Sequence, residues 1–218
     1  MPESDETRRV TSELENLFGK LDTRPEHIKS LWYFLNLIKE HHPPTYEHSG
    51  RMALLGYEIS NFTHIVDPKS LVFPCALHDI GKMVIPQKLL DKRVNWTSED
   101  AKEMEPHVQL GFNILKQVYE FSAWVMLYAD HFTNDHNKSK EMPQIDGKFS
   151  RGTQTLIQYS GRLVALIDFY EAAHRENDKF SPGIPKRLTP AEVKDITLKQ
   201  NKDQKHLINE LYRAGIFN

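Results

Sequence analysis

Apolar residues in this chain recur at intervals of three and four, and no clear run alternates β-branched and polar residues between turn dipeptides. That periodicity belongs to helices with one buried face, so the fold class it predicts is all-α. The pattern is strongest over Pro25 to Lys39, where Leu31, Phe34, Leu35 and Ile38 share a face. Before it, Ser12 to Phe18 is a short polar-apolar segment. Pro43-Pro44 interrupts the pattern, and Thr45 is a suitable cap for a helix reaching about Phe62. Leu71 to His78 is apolar throughout and reads as a buried helix closed by Gly81. Met83 to Leu90, with Pro86 inside it, reads as a loop.

Further along, Thr97 or Ser98 caps a helix with Glu99 and Asp100 in its first turn, where the helix dipole favours acids. Pro106 predicts a break, after which Leu110, Ile114 and Leu115 continue an apolar stripe. Phe121 to Ala129 is almost wholly apolar. Residues 134–152 are polar and predict an exposed loop, and a long helix follows from about Thr155 to Ala173. A second loop covers Asp178 to Leu188. Thr189-Pro-Ala-Glu192 then has the composition of a capping box with proline at the first helical position, opening a terminal region that ends near Gly215. The expectation is one helical bundle of seven to nine helices over residues 25–218, preceded by an N-terminal segment over residues 1–24.

The chain has 218 residues, enough to bury a substantial core. A net charge of -2 implies no strongly basic face, so no nucleic-acid duplex is expected as partner. Polar residues break every apolar run well short of the roughly 20 residues of a membrane span. Cys75 is the only cysteine, which rules out an internal disulfide and fits a reducing, cytoplasmic setting.

Ionisable residues interrupt three apolar helices. His78-Asp79 ends Leu71-Val-Phe-Pro-Cys-Ala-Leu77, Asp130-His131 closes Trp124-Val-Met-Leu-Tyr-Ala129, and Asp168 sits inside Leu163-Val-Ala-Leu-Ile-Asp-Phe-Tyr170. A buried carboxylate without a partner costs several kcal/mol, so each must find a cation, hydrogen-bond donors or a metal. Any one of them alone reads as well as a cap or an ion pair. Three together, two with an adjacent histidine, fit a centre where divalent cations share a bridging carboxylate between helices. Neighbouring residues on a helix project about 100° apart, so His78 and Asp79 face one cavity only at a helix end.

The stretch from His78 through Asp-Ile-Gly-Lys-Met-Val-Ile-Pro-Gln-Lys-Leu to Leu90 resembles the core motif of the HD superfamily, specifically its HD-GYP branch. Tyr46-Glu-His48-Ser resembles that family's first histidine motif. Thr97-x-Glu99 and His107-x-x-x-Gly111-x-x-Ile-Leu115 resemble its third, and Asp130-His131 falls where two histidines are usual. The Asp168-Phe-Tyr-Glu-Ala172 segment resembles its last ligand motif. The resemblance spans about Tyr46 to Gly215 and implies an HD-type hydrolase domain.

It departs from the branch at two places. Phe132-Thr-Asn-Asp-His136 and a polar loop replace Gly-Tyr-Pro, which argues against efficient use of cyclic di-GMP, and Asp130 replaces a histidine. Pro44 occupies the position where some relatives carry a glutamate for a third metal, so two ions are implied.

The resemblance implies His48, His78, Asp79, His107, Asp130, His131 and Asp168 as metal ligands, with Asp79 bridging. A carboxylate-rich set favours iron or manganese over zinc or magnesium. It implies a metal-dependent phosphohydrolase acting on a phosphodiester or phosphomonoester through a metal-bridging hydroxide, with a nucleotide or cyclic dinucleotide as substrate. Lys82 is placed for catalysis and substrate phosphate, and Arg175 and Lys179 for substrate contact. A signalling partner protein would supply any input. A non-catalytic nucleotide-binding module and a di-iron HD oxygenase remain alternatives. His41, His42, His64, His136, His174 and His206 read as surface or supporting residues, and Cys75 and the three tryptophans as packing.

Overall fold

The structure, a computed structural model, describes residues 3–92, 94–133, 142–145, 147–175 and 186–218. Its chain order is α1 (Asp5–Phe18), α2 (Pro25–His41), α3 (Pro43–Thr63), α4 (Lys69–Leu77), a 3-10 turn (Ile80–Val84), α5 (Gln87–Leu90) and α6 (Ser98–Met104). It continues with α7 (Pro106–Leu115), α8 (Glu120–Thr133), α9 (Arg151–Ala173), α10 (Pro190–Gln200), a second 3-10 turn (Lys202–Gln204) and α11 (Lys205–Arg213). The fold is all-α, as the periodicity predicts. Two of these helices, α5 and α6, are too short to span the bundle. Among the described residues no helix is long and apolar enough to cross a membrane.

The core forms where α3, α4, α8 and α9 meet. Leu71, Leu77, Val125, Leu163, Val164 and Ile167 are all fully buried there. Each such side chain removed from water contributes roughly 1.5–3 kcal/mol, which holds these helices together. α1 and α2 pack on α3, α10 packs on α9, and Tyr212 of α11 meets Tyr170 of α9 edge to face. Val10 and Leu14 of α1 are fully buried against α3, so the N-terminal segment contains a 14-residue helix that packs into the same core.

Several local expectations are revised by particular contacts. α3 begins at Pro43 rather than after Thr45, because the two prolines fit the first helical turn. His42 Nδ1 accepts the Thr45 N–H and serves as the cap. Between Met83 and Leu90 the backbone forms a 3-10 turn and one turn of α-helix instead of an open loop. α9 starts four residues earlier than the spacing predicts, capped by Ser150, whose hydroxyl accepts the Thr153 N–H.

Two sequence signals hold as read. Pro106 separates α6 from α7 by occupying the first turn of the latter, and the capping box at Thr189 and Glu192 is formed in full. His136 and Lys179 lie outside the described residues.

Candidate metal centre

His78 is the residue on which α4 ends, and Asp79 leaves helical geometry, turning the chain into the 3-10 turn. This carries both side chains to the end of the helix. Gly81 serves a different purpose from the stop that the sequence suggests. A Cβ there would lie 1.8 Å from the His107 carbonyl oxygen and 2.8 Å from the Gly111 nitrogen. Glycine is therefore what lets the start of α7 lie against the turn, bringing His107 to Asp79.

Asp79 is the hub and is 3% exposed. Its Oδ2 lies 3.3 Å from His78 Nε2, 3.9 Å from His48 Nε2 and 2.6 Å from Lys82 Nζ. Its Oδ1 lies 3.7 Å from His107 Nε2. Asp168, from the middle of α9, places Oδ1 3.1 Å from His48 Nε2. Ligand atoms of His48, His78 and Asp168 all lie within 4.8 Å of one another. Four separate segments thus deliver three imidazoles and two carboxylates to one spot.

The three rings are aimed in the same way. His78 Nδ1 donates to the Cys75 carbonyl at 2.9 Å, and His107 Nδ1 donates to the Met104 carbonyl at 2.6 Å. A carbonyl only accepts, so the proton of each neutral ring is fixed on Nδ1 and the lone pair of Nε2 faces Asp79. His48 Nδ1 is bonded to the Glu171 carboxylate. Lone pairs pointed at carboxylate oxygens repel unless a proton or a metal ion lies between them. Anchoring of the outer nitrogen is how metal-ligating histidines are held.

Burial pulls the His78 pKa down, but the Asp79 and Asp168 charges outweigh it and leave it raised. Burial wins at His107, whose pKa is lowered, so near neutral pH this ring presents its bare Nε2 to Asp79. Burial opposes ionisation of Asp79, yet His78, Lys82 and His48 hold its carboxyl well below the usual range. Burial likewise disfavours the charged form of Asp168, and His48 and His78 reverse that. The acids are therefore ionised, and a divalent cation fits the donor set. With metal–ligand bonds of about 2.1 Å, neighbouring ligand atoms stand roughly 3.0–3.4 Å apart, close to the shorter separations here.

Other expected residues fall nearby or elsewhere. Asp130, near the end of α8, acts on His107 through its charge. His131, the next residue, lines a cavity of about 360 Å³ with Phe132, Arg162, Phe169 and Asn201, on the side of α9 that α10 covers. Lys82 reaches into the centre. Arg175 is half exposed, and its Nε lies 3.2 Å from Glu171 Oε2. Cys75 is fully buried, and burial pushes its thiol pKa far up, as suits a packing residue.

Glu171 is the residue that sequence reasoning passed over. It is 5% exposed and also accepts from Arg51 Nε at 2.7 Å. Burial works against its charge, but His48, Arg175 and Arg51 lower its pKa to about 2. The available signal was spacing: Glu171 follows Asp168 by three residues, and Arg51 follows His48 by three, one helical turn on each of two facing helices.

Residues 45–173 match the HD domain family. A cyclic di-GMP phosphodiesterase from Thermotoga maritima is 30% identical over 143 residues, covering 63% of this chain and 37% of that protein. A 3'3'-cGAMP-specific phosphodiesterase 2 from Vibrio cholerae is 24% identical over 160 residues, covering 72% of this chain and 30% of that protein. The chain thus spans about a third of the length of these curated relatives. No solved structure matches it.

Proposed function

The chain belongs to the HD domain family, and from that premise we propose that it is a metal-dependent phosphohydrolase cleaving a phosphodiester of the nucleotide or cyclic dinucleotide class. The observation that carries the reading is the division of Asp79. One of its oxygens faces His78 and His48, and the other faces His107. A carboxylate placed between two groups of imidazoles is what a bridge between two cations requires. His48, His78 and Asp168 would hold one ion with Asp79 Oδ2. His107 and Asp130 would hold a second with Asp79 Oδ1.

Divalent ions bound there supply Lewis acidity, which makes an attacking water more acidic and offsets phosphate charge. The mixed imidazole and carboxylate set favours iron or manganese over zinc or magnesium. The residues of the chain do the rest. His78 and His107 keep their protons on the outer nitrogen, and Asp79 stays ionised. Lys82 holds an ammonium at the edge of the centre, 2.6 Å from Asp79 Oδ2, where it can offset charge growing on the phosphate.

Both curated relatives are named for cleavage of cyclic dinucleotides, which supports that substrate class. The absent Gly-Tyr-Pro argues that cyclic di-GMP itself is a poor substrate. A cytoplasmic setting fits a single buried cysteine, and a partner protein is the proposed source of any signal.

The test is metal analysis of the purified chain together with a screen of bis-p-nitrophenyl phosphate and cyclic dinucleotides in the presence of manganese. Close to two ions per chain and release of nitrophenol are expected. A chain that neither retains nor takes up metal would contradict the reading. Metal binding with every ester left intact would contradict the hydrolase and leave a metal-binding module.

A further inference from the structure

Helix α1 lies outside the segment that matches the HD domain family, yet it reaches the candidate centre through a chain of charges. Glu6 Oε1 accepts from Arg51 Nη1 at 2.7 Å. Arg51 Nε and Nη2 lie 2.7 and 2.6 Å from Glu171 Oε1. The other oxygen of Glu171 is bonded to His48 Nδ1. The Nε2 of that ring faces Asp168 and Asp79. We propose that Arg51 is a positioning residue for the metal ligand His48, acting through Glu171, and that Glu6 on α1 holds Arg51 in that pose. This rests on the reading of the centre as a metal site.

A neutral imidazole ring carries one proton, and the nitrogen that keeps it cannot ligate a metal. His48 is 1% exposed, so water cannot decide which nitrogen that is. The Glu171 carboxylate at Nδ1 decides it, leaving Nε2 free for a metal. Glu171 must itself be ionised and correctly turned, although it is 5% exposed.

A buried carboxylate is strongly disfavoured unless paired, and Arg51 supplies the pairing with two nitrogens on one oxygen. Arg175 adds a contact at 3.2 Å on the other oxygen, from a side chain that is 45% exposed. Arg51 has one further arm, and Glu6 occupies it. Glu6 is in turn fixed by Arg9, whose Nη2 and Nε lie 2.8 and 3.0 Å from its two oxygens.

The seating of α1 makes this arrangement specific. A Cβ on Gly50 would lie 2.2 Å from Val10 Cγ1, so α1 lies directly against the bare backbone of α3 between His48 and Arg51. Thr11 Oγ1 and the Tyr46 hydroxyl are 2.8 Å apart, and the hydroxyls of Ser4 and Thr7 both donate to Glu47 Oε1. The turns of α3 that α1 grips are therefore those that carry the ligand. An ion pair serving stability alone would have no need to end on a ligating ring.

The experiment is titration of the metal-free full chain with Mn²⁺ and with Co²⁺, read by affinity and by the Co²⁺ visible spectrum. It uses wild type, Arg51→Met, Glu171→Gln, Arg51→Lys and Glu6→Gln. Loss of a residue that orients a ligating histidine weakens metal binding about 10- to 100-fold. That range is expected for Arg51→Met and for Glu171→Gln, with a changed Co²⁺ spectrum. A chain carrying both Arg51→Met and Glu171→Gln should lose no more than the worse single variant, and Arg51→Lys should recover part of the loss.

Glu6→Gln is a near-isosteric change at a partly exposed position and should weaken binding by a smaller factor, about 3-fold or more. Wild-type affinity and spectrum in both Arg51→Met and Glu6→Gln would overturn the inference while leaving the metal centre standing. Failure of the wild-type chain to bind either ion would overturn the metal reading and this inference with it.

Discussion

On the Oδ2 side of Asp79 the facing groups are carried by three core helices. His48 comes from α3, His78 from the end of α4 and Asp168 from α9, and His48 is tied to α9 through Glu171 and, by way of Arg51 and Glu6, to α1. On the Oδ1 side, His107 stands in the first turn of α7, with its ring anchored to one backbone carbonyl at the α6–α7 junction. α6, which leads into α7, buries none of its residues, although the His107 side chain itself is no more exposed than that of Asp168. One half of the centre is thus fixed by the core, whereas the other rests on the fit between Gly81 and α7. Preorganised ligands lose less freedom on binding, so the His48, His78 and Asp168 half should hold its ion more tightly and the His107 half should exchange it more readily.

The change that removes the comparison altogether is Asp79→Ala, which deletes the group shared by both halves. Metal content and phosphodiesterase activity should fall together, with turnover down about 10³-fold, the scale of several kcal/mol of lost charge stabilisation. Retained activity would make the His78-Asp79 pair merely structural.

Gly81→Ala strikes the His107 half selectively. Its methyl group would run into the His107 carbonyl at 1.8 Å. Overpacking of this kind costs about 1–3 kcal/mol, and displacement of His107 by about an ångström is worth roughly 10²-fold in rate. Calorimetry and metal analysis should show a lower Tm and loss of the weaker ion first. Loss of the tighter ion first would reverse the ranking of the halves.

Lys82→Ala should spare both halves, since an ammonium ligates nothing, and lower turnover by about 10²-fold, the worth of one charge-stabilising donor. Unchanged kinetics at full metal occupancy would remove Lys82 from the chemistry. The smallest effect is expected at Thr189, whose hydroxyl caps α10 within its capping box. Thr189→Ala should cost about 1 kcal/mol of stability by denaturant titration, with metal content and rate untouched. A change in either would mean that α10 is coupled to the centre.

The contrast between the halves also marks what a sequence exposes. His78, Asp79 and Asp168 were legible because each breaks an apolar helical run, and His48 and His107 because their motifs resemble those of a known family. Residue spacing set the long helices, and the break at Pro106 followed from the missing amide of proline. What escaped depends on contacts between distant segments. Glu171 and Arg51 are 120 positions apart, and an acid or a base on a helix looks solvated until its partner is known.

The role of Gly81 escaped for the same reason, because its neighbour is the backbone of α7 rather than its own helix. His42 read as a bystander because a histidine that caps a proline-initiated helix has no pattern of its own.

We propose that Asp79 joins two ion sites of unequal strength. That arrangement is tested most directly by titrating the metal-free chain with Mn²⁺ and counting bound ions by electron paramagnetic resonance, in wild type and in His107→Ala. The account predicts two ions in the wild type with the spectrum of a coupled pair. It predicts one ion in His107→Ala, held with nearly undiminished affinity by the His48, His78 and Asp168 half. A single ion in the wild type, or a variant that loses both ions or neither, would contradict it.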